Sequence, residues 1–265
     1  MLRSRLALIL AIPLLVLPAC QTGARIQGST VSDHDGRLFM DGAPVDFHRE
    51  VNLQGELAGP VRLRLSSATA TVDVVGGPGS SYELVVDLYT EYEGDGVVEL
   101  VDDQLVASSE MDGAVLVNGI RGRLPEGVSL EIETGTGDIY VTSFVGTNVV
   151  LDLKSGTGNV QVASCNVGEV VVDSGIGDVR ATESVARQAV VHMATGSLAA
   201  KACEIGVFVG DSGTGDFLFQ SSRLDEARFV SGVGDVRLTD TLVSELSSSL
   251  GTGRVFMESE GASEN

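Results

Sequence analysis

A chain of 265 residues with 37 Asp and Glu against 17 Lys and Arg has a formal charge of −20 at neutral pH. A surface of that sign repels phosphate backbones, so nucleic acid is excluded as a partner class. The sequence also holds no Gly-x-Ser-x-Gly elbow, no phosphate loop and no metal-spaced set of His or Cys, which argues against an enzyme and requires no cofactor.

At the N-terminus, Arg3 and Arg5 precede an apolar run from Leu6 to Leu17. The run is too short to span a bilayer as a helix and reads as a secretory signal peptide, residues 1–19. It ends in Leu17-Pro18-Ala19-Cys20, which resembles the lipobox of bacterial lipoproteins, although Pro18 departs from the small residue usual there. That resemblance implies lipidation at Cys20 and membrane attachment through the lipid anchor; several acyl chains on one residue hold stably. Gln21, rather than Asp, after the cysteine implies sorting to the outer membrane, facing the periplasm or the cell surface.

Residues 20–58 form a mixed stretch with weak alternation around Leu38 to Met40, read as a tether leading into an N-terminal cap. Strand signals begin at Pro60 with VRLRL, TVDVV, YELVVDLY, GVVELV and AVLVNGI, longer and less regular than the later strands. Leu124-Pro125-Glu126-Gly127-Val128-Ser129-Leu130 supplies a proline turn and then a strand into the periodic part. A β-helix is therefore expected over 59–257, with regular coils from about 133, and residues 258–265 form a frayed acidic tail.

The periodic part is defined by Gly-x-Gly, usually followed by Asp or Asn. The second glycines are Gly137, Gly158, Gly177, Gly196, Gly215, Gly234 and Gly253, one step of 21 residues and then steps of 19, with Ala194 replacing the first glycine of the fourth copy. A fixed period near 20 means one supersecondary unit stacked on its copies. Two residues after each glycine stand Ile139, Val160, Val179, Leu198, Phe217, Val236 and Val255; four after stand Val141, Val162, Ala181, Ala200, Phe219, Leu238 and Met257. Strand side chains alternate faces, so these two columns share the inward face. A second strand precedes each next pair, giving two short strands and two turns per repeat and no helical spacing. The fold class is all-β: a single-stranded parallel β-helix of about 19 residues per coil, expected to be right-handed, with an irregular β N-terminal cap. Coils stack about 4.8 Å apart. The glycines serve corners that need positive φ.

The lipoprotein-like start, the irregular β region, the LPEGVSLEIETGTGDI entry and the SGTGD or SGVGD coils together resemble a bacterial adhesin-like family of β-strand-repeat domains of unknown function, related to the head domain of autotransporter adhesins. The resemblance spans roughly residues 60–257. It implies a parallel β-helix in the cell envelope and no established catalysis.

Several columns are candidates for chemistry, each with a plainer alternative. Asp138, Asn159, Asp178, Asp216 and Asp235, interrupted by Ser197, suggest either turn-capping or calcium, but only one corner carries the motif, so each site would lack half of the six to eight oxygens calcium prefers. Ser155, Ser174, Ser212 and Ser231 suggest a serine ladder bonding to corner backbone. His192 is expected between Asp173 and Asp211 of adjacent coils, as a pH-sensitive spot or as part of an exposed charge ladder. Cys165 and Cys203 share a column with Ser184 between them; two coils is roughly 9.6 Å, beyond the roughly 4.4–6.8 Å that a disulfide spans between Cα atoms, so both thiols are expected free. Arg180 and Arg237 share a column three coils apart and make no cluster. Val171, Val190 and Val209 form an outward apolar stripe in three consecutive coils, a candidate interaction site covered by the N-terminal segment, a second copy or a ligand, or left open.

The leading functional reading is a non-catalytic, lipid-anchored envelope scaffold with an adhesive or structural surface and a protein or glycan ligand. A binding or sensing module in envelope-stress signalling is the alternative. A carbohydrate-active enzyme would need a charged groove that stacking does not produce.

Overall fold

The computed structural model describes residues 31–34, 37–57 and 61–259. The signal segment, Cys20 and residues 260–265 lie outside the described residues. All regular structure among the described residues is β.

Two stacked sheets form the body. In the first, β12 (Ile139–Thr142), β14 (Val160–Ala163), β16 (Val179–Thr182), β18 (Leu198–Lys201), β20 (Phe217–Gln220), β22 (Val236–Thr239) and β24 (Val255–Glu258) are the short strands after each glycine pair. In the second, β11 (Ser129–Thr136), β13 (Val145–Thr157), β15 (Asn166–Ile176), β17 (Val185–Thr195), β19 (Glu204–Thr214), β21 (Arg223–Val233) and β23 (Leu242–Thr252) are the long strands between them. Every pairing within these runs is parallel, with the period of the glycines. The inward columns are core: Ile139, Val160, Phe217 and Val236 are fully buried, as are Val141, Phe219 and Leu238 to within 1 %.

Two features were not anticipated. The long strands break near their starts: β13 holds two extra residues between Gly146 and Val150, opposite Val167 and Glu169 of β15, a bulge that takes up the longer first step of 21, while in the later coils the ladder skips Gly168, Arg187 and Gly206 at unchanged register. The second corner also uses a left-handed residue that is never glycine: Ser143, Ser164, Glu183, Ala202, Ser221 and Asp240, with φ between 47° and 62°. Stacking imposes this conformation, since the corner amide bonds to the next coil, as in Ser164 N–H to the Thr182 carbonyl at 3.0 Å.

Coil stacking extends below the glycine repeats. β5 (Arg62–Ser67) pairs parallel with β11 and β6 (Thr71–Gly77) with β12, so residues 62–77 make the first coil although no glycine motif marks them. The intervening chain builds the cap. β10 (Val115–Pro125) adds parallel to β6 and antiparallel to β7 (Ser81–Thr90), which pairs antiparallel with β4 (Phe47–Glu56). β8 (Val97–Val101) and β9 (Gln104–Ser108) form a hairpin on the edge of β5. Parallel stacking is thus interrupted by antiparallel strands between residues 81 and 108. Within the stretch read as tether, β1 (Val31–His34), β2 (Arg37–Met40) and β3 (Ala43–Pro44) make their own antiparallel sheet. The sheets have eleven, ten and three strands.

Near the C-terminal end the core changes from aliphatic to aromatic. Phe208, Phe217, Phe219 and Phe229 are fully buried, with centroids 5.0–6.3 Å apart. They plug the interior just beneath the last coil.

Candidate functional site

The glycine column is structural in a stronger sense than its turns require. All seven second glycines have φ between 139° and 156°, and a Cβ at Gly215 would overlap the carbonyl of Gly196 in the coil below. Positive φ and backbone contact both exclude a side chain there.

The Asp column forms a hydrogen-bonded ladder running between coils. Asp138 Oδ1 accepts from Asn159 N–H at 2.7 Å, Asn159 Oδ1 from Asp178 N–H at 3.0 Å, and Asp178 Oδ1 from Ser197 N–H at 3.0 Å. Ser197 Oγ accepts from Asp216 N–H at 3.2 Å, Asp216 Oδ1 from Asp235 N–H at 2.7 Å, and Asp235 Oδ1 from Arg254 N–H at 2.9 Å. Each side chain therefore holds the next coil's turn. The other carboxylate oxygens turn to their own coil: Arg180 lies 3.8 Å from Asp178 and Arg237 3.7 Å from Asp235, and the Tyr140 hydroxyl donates to Asp138 at 2.9 Å, which raises the Tyr140 pKa. Among the described residues no group of three His, Cys, Asp or Glu is placed to hold a metal.

The serine column behaves differently from expectation. Ser155 Oγ donates to the Gly137 carbonyl at 3.2 Å, but Ser174, Ser212 and Ser231 are buried without a partner. Met193 and Leu250 occupy the same column, so no continuous ladder forms.

His192 does stand between Asp173 and Asp211 in register, yet it is exposed and forms no ion pair with either. Cys165 and Cys203 are buried free thiols. Serines separate and cap them: Ser184 Oγ accepts from Cys165 N–H at 3.2 Å, and Ser222 Oγ from Cys203 N–H at 3.1 Å. Burial pushes both thiol pKa values up, which keeps them protonated and unreactive. Arg180 and Arg237 remain three coils apart, with Ala199 and Leu218 between them.

Val171, Val190 and Val209 are adjacent and half-buried on the outer face of the long-strand sheet. Their column continues into Arg64, Glu131 and Asp152 on one side and Arg228 on the other. Arg62 and Arg64 bind Glu131 at 3.0 and 3.3 Å, and Arg62 binds Asp152 at 2.7 Å. β4 lies at the far edge of the opposite sheet, away from the valines.

Where the parallel ladder skips Gly168, Arg187 and Gly206 lies a site that the sequence did not announce. A groove of about 340 Å³ follows the bent corner past Asn166, Gly168, Arg187, Glu204, Gly206 and Arg223. Gly168 and Gly206 leave it open on either side of Arg187, whose guanidinium stands over Gly168. Glycine alternating with charge at one position of successive repeats was its only trace in the sequence.

This geometry, a two-sheet coil of 19 residues with an Asp ladder and a glycine spine, coincides with a known family model. Residues 117–239 match Toastrack DUF4097. This stretch is a Toastrack domain. The chain is also similar to two crystal structures, each described as a putative adhesin. One is from Bacteroides fragilis, at 16 % identity and a TM-score of 0.53, covering 80 % of this chain and 97 % of that one. The other is from Parabacteroides distasonis, at 12 % identity and a TM-score of 0.50, with the same coverage. At these identities the likeness establishes the fold. No curated protein matches the sequence.

Proposed function

We propose that this Toastrack protein is a non-catalytic scaffold of the cell envelope, anchored by lipid on Cys20, whose rigid solenoid presents an adhesive or structural surface. The observation that carries the reading is the use of the repeated polar residues. The Asp column is consumed in coil-to-coil hydrogen bonds and the arginines pair within their own coils, so the ladder leaves no converging set of groups to act on a substrate. The adhesin titles of the two structural relatives agree with a surface role. The lipobox-like Leu17 to Cys20 agrees with an envelope position. Contacts with a protein or glycan ligand would fall on the outer face around Val171, Val190 and Val209 or in the groove beside Arg187.

The test joins labelled-fatty-acid incorporation to envelope fractionation, with a photo-crosslinker at Val190. Label that is lost in Cys20→Ala, and membrane-associated adducts from position 190, are the expected results. An unlabelled, wholly soluble protein without adducts would sink the reading.

A further inference from the structure

The two ends of the solenoid are finished differently. At the N-terminal end, the edge strand β4 carries His48, Arg49, Glu50 and Glu56, and the other sheet ends in β8, only five residues long with Glu99 at its centre. Charges of this kind keep an open edge from pairing with another chain. At the C-terminal end, β23 and β24 each pair on one side only among the described residues, and β23 reads LVSELSSSLGT, with Glu245 its single charge. The strand stacked beneath it, β21, holds Arg223, Asp225, Glu226 and Arg228. The last coil also continues the inward columns without covering them: Met257 is 60 % and Leu246 40 % exposed, beside partly buried Val243, Leu250 and Val255, while Leu242, in the outward column above Arg223, is 73 % exposed. A solenoid end normally carries a polar cap. The phenylalanine plug beneath seals the core, but leaves these side chains and the strand's unpaired backbone groups facing outward.

We infer that the last coil is a self-association surface, on which a second copy of the chain docks tail to tail through antiparallel pairing of β23 with β23. The second copy is the occupant because the end is self-complementary. An antiparallel register centred on Ser248 sets Leu246 opposite Leu250 of the other copy, both on the inward face, and places Glu245 opposite Gly251, so no like charges meet. Neither the charged β4 edge nor β8, the five-residue opposite edge of the same sheet, matches the eleven residues of β23, so the contact closes as a two-fold dimer rather than propagating as a filament. Eleven stacked strands make each protomer about 48 Å tall.

Sedimentation velocity on the chain from residue 21 onward, which contains every described strand, is expected to show monomer at about 1 µM and a shift toward twice the mass by about 100 µM, the weak range of small interfaces. Ser248→Lys aims a charge into the end face and is expected to raise the dissociation constant at least about tenfold. Val190→Lys, on the sheet face, leaves it unchanged, and both variants keep their β circular dichroism. Ser248→Cys is expected to give a disulfide-linked dimer on oxidation, because the two residues lie directly opposite. A monomer at 100 µM overturns the inference, as does association that survives Ser248→Lys or is lost in Val190→Lys. It also falls if association appears only after residues 260–265 are removed, since the chain's own tail would then be the occupant. Envelope attachment is read separately by fractionation, so either result can fail without the other.

Discussion

The cap and the coils of this protein reach the same β architecture by different means. In the coils one solution is repeated: a glycine corner, an inward pair of apolar residues and a side-chain oxygen on the next coil's amide. The cap is held by interactions that occur once. Asp95 is fully buried, accepting from Ser109 Oγ at 2.6 Å and from Glu110 N–H at 2.8 Å. Arg121 bridges Asp87 at 2.8 Å and Glu50 at 2.6 Å, tying β10 to β7 and β4. Repetition spreads stability over many equal small terms, whereas the cap concentrates it in a few residues without duplicates.

The largest effect is expected where the coils depend on one shape. Phe229→Ala removes a fully buried ring packed within 5.3–5.8 Å of Phe208, Phe217 and Phe219, and should cost about 3–5 kcal/mol. Chemical denaturation followed by hydrogen exchange checks it. Protection should fall most in β19 to β24 and little in the cap, because coils contact only their neighbours. Equal loss in both regions would show that they unfold as one unit.

Asp95→Asn tests the cap in the opposite sense. Its hydrogen bond from Ser109, and then backbone amides, hold the Asp95 carboxyl below its ordinary value of 3.8. A depressed folded pKa gives stability that is fully present above 3.8 and is lost as pH falls through the folded value. The cap's melting step should therefore weaken in acid in the native chain. In Asp95→Asn it should fall by roughly 5 °C at neutral pH and lose that acid dependence. Protection of β13 to β21 should not change.

This contrast also explains what the sequence could disclose. The period named the fold class, the inward columns, the separation of Cys165 from Cys203 and the neighbours of His192, because a repeat turns linear spacing into spatial register. It put residues 62–77 inside the β-helix but could not give their register, since β11 and β12, the strands that continue their stacks, lie more than sixty residues onward and no glycine motif marks the first coil. It missed the corners at Ser143 to Asp240 because their left-handed φ is imposed by stacking on residues with no preference for it. The groove at Arg187 went unseen for a related reason: the ladder skips that position while the 19-residue offset stays unchanged.

The smallest expected effect falls on the Asp ladder, where calcium and turn-capping are opposed. Asp216→Ala removes the acceptor for Asp235 N–H at a partly exposed corner where water can replace it, so the cost should be about 0.5–1.5 kcal/mol. Asp216→Asn should be close to neutral, because Asn159 already fills the same position and accepts from Asp178 N–H at 3.0 Å, and because one negative charge fewer relieves a chain at −20. If the column instead bound calcium, millimolar calcium would raise the melting temperature and the Asn variant would abolish that rise. In the ladder reading the melting temperature is indifferent to calcium, since one oxygen of each ladder carboxylate is already committed to a backbone amide and those of Asp138, Asp178 and Asp235 also face Tyr140, Arg180 and Arg237 through the other.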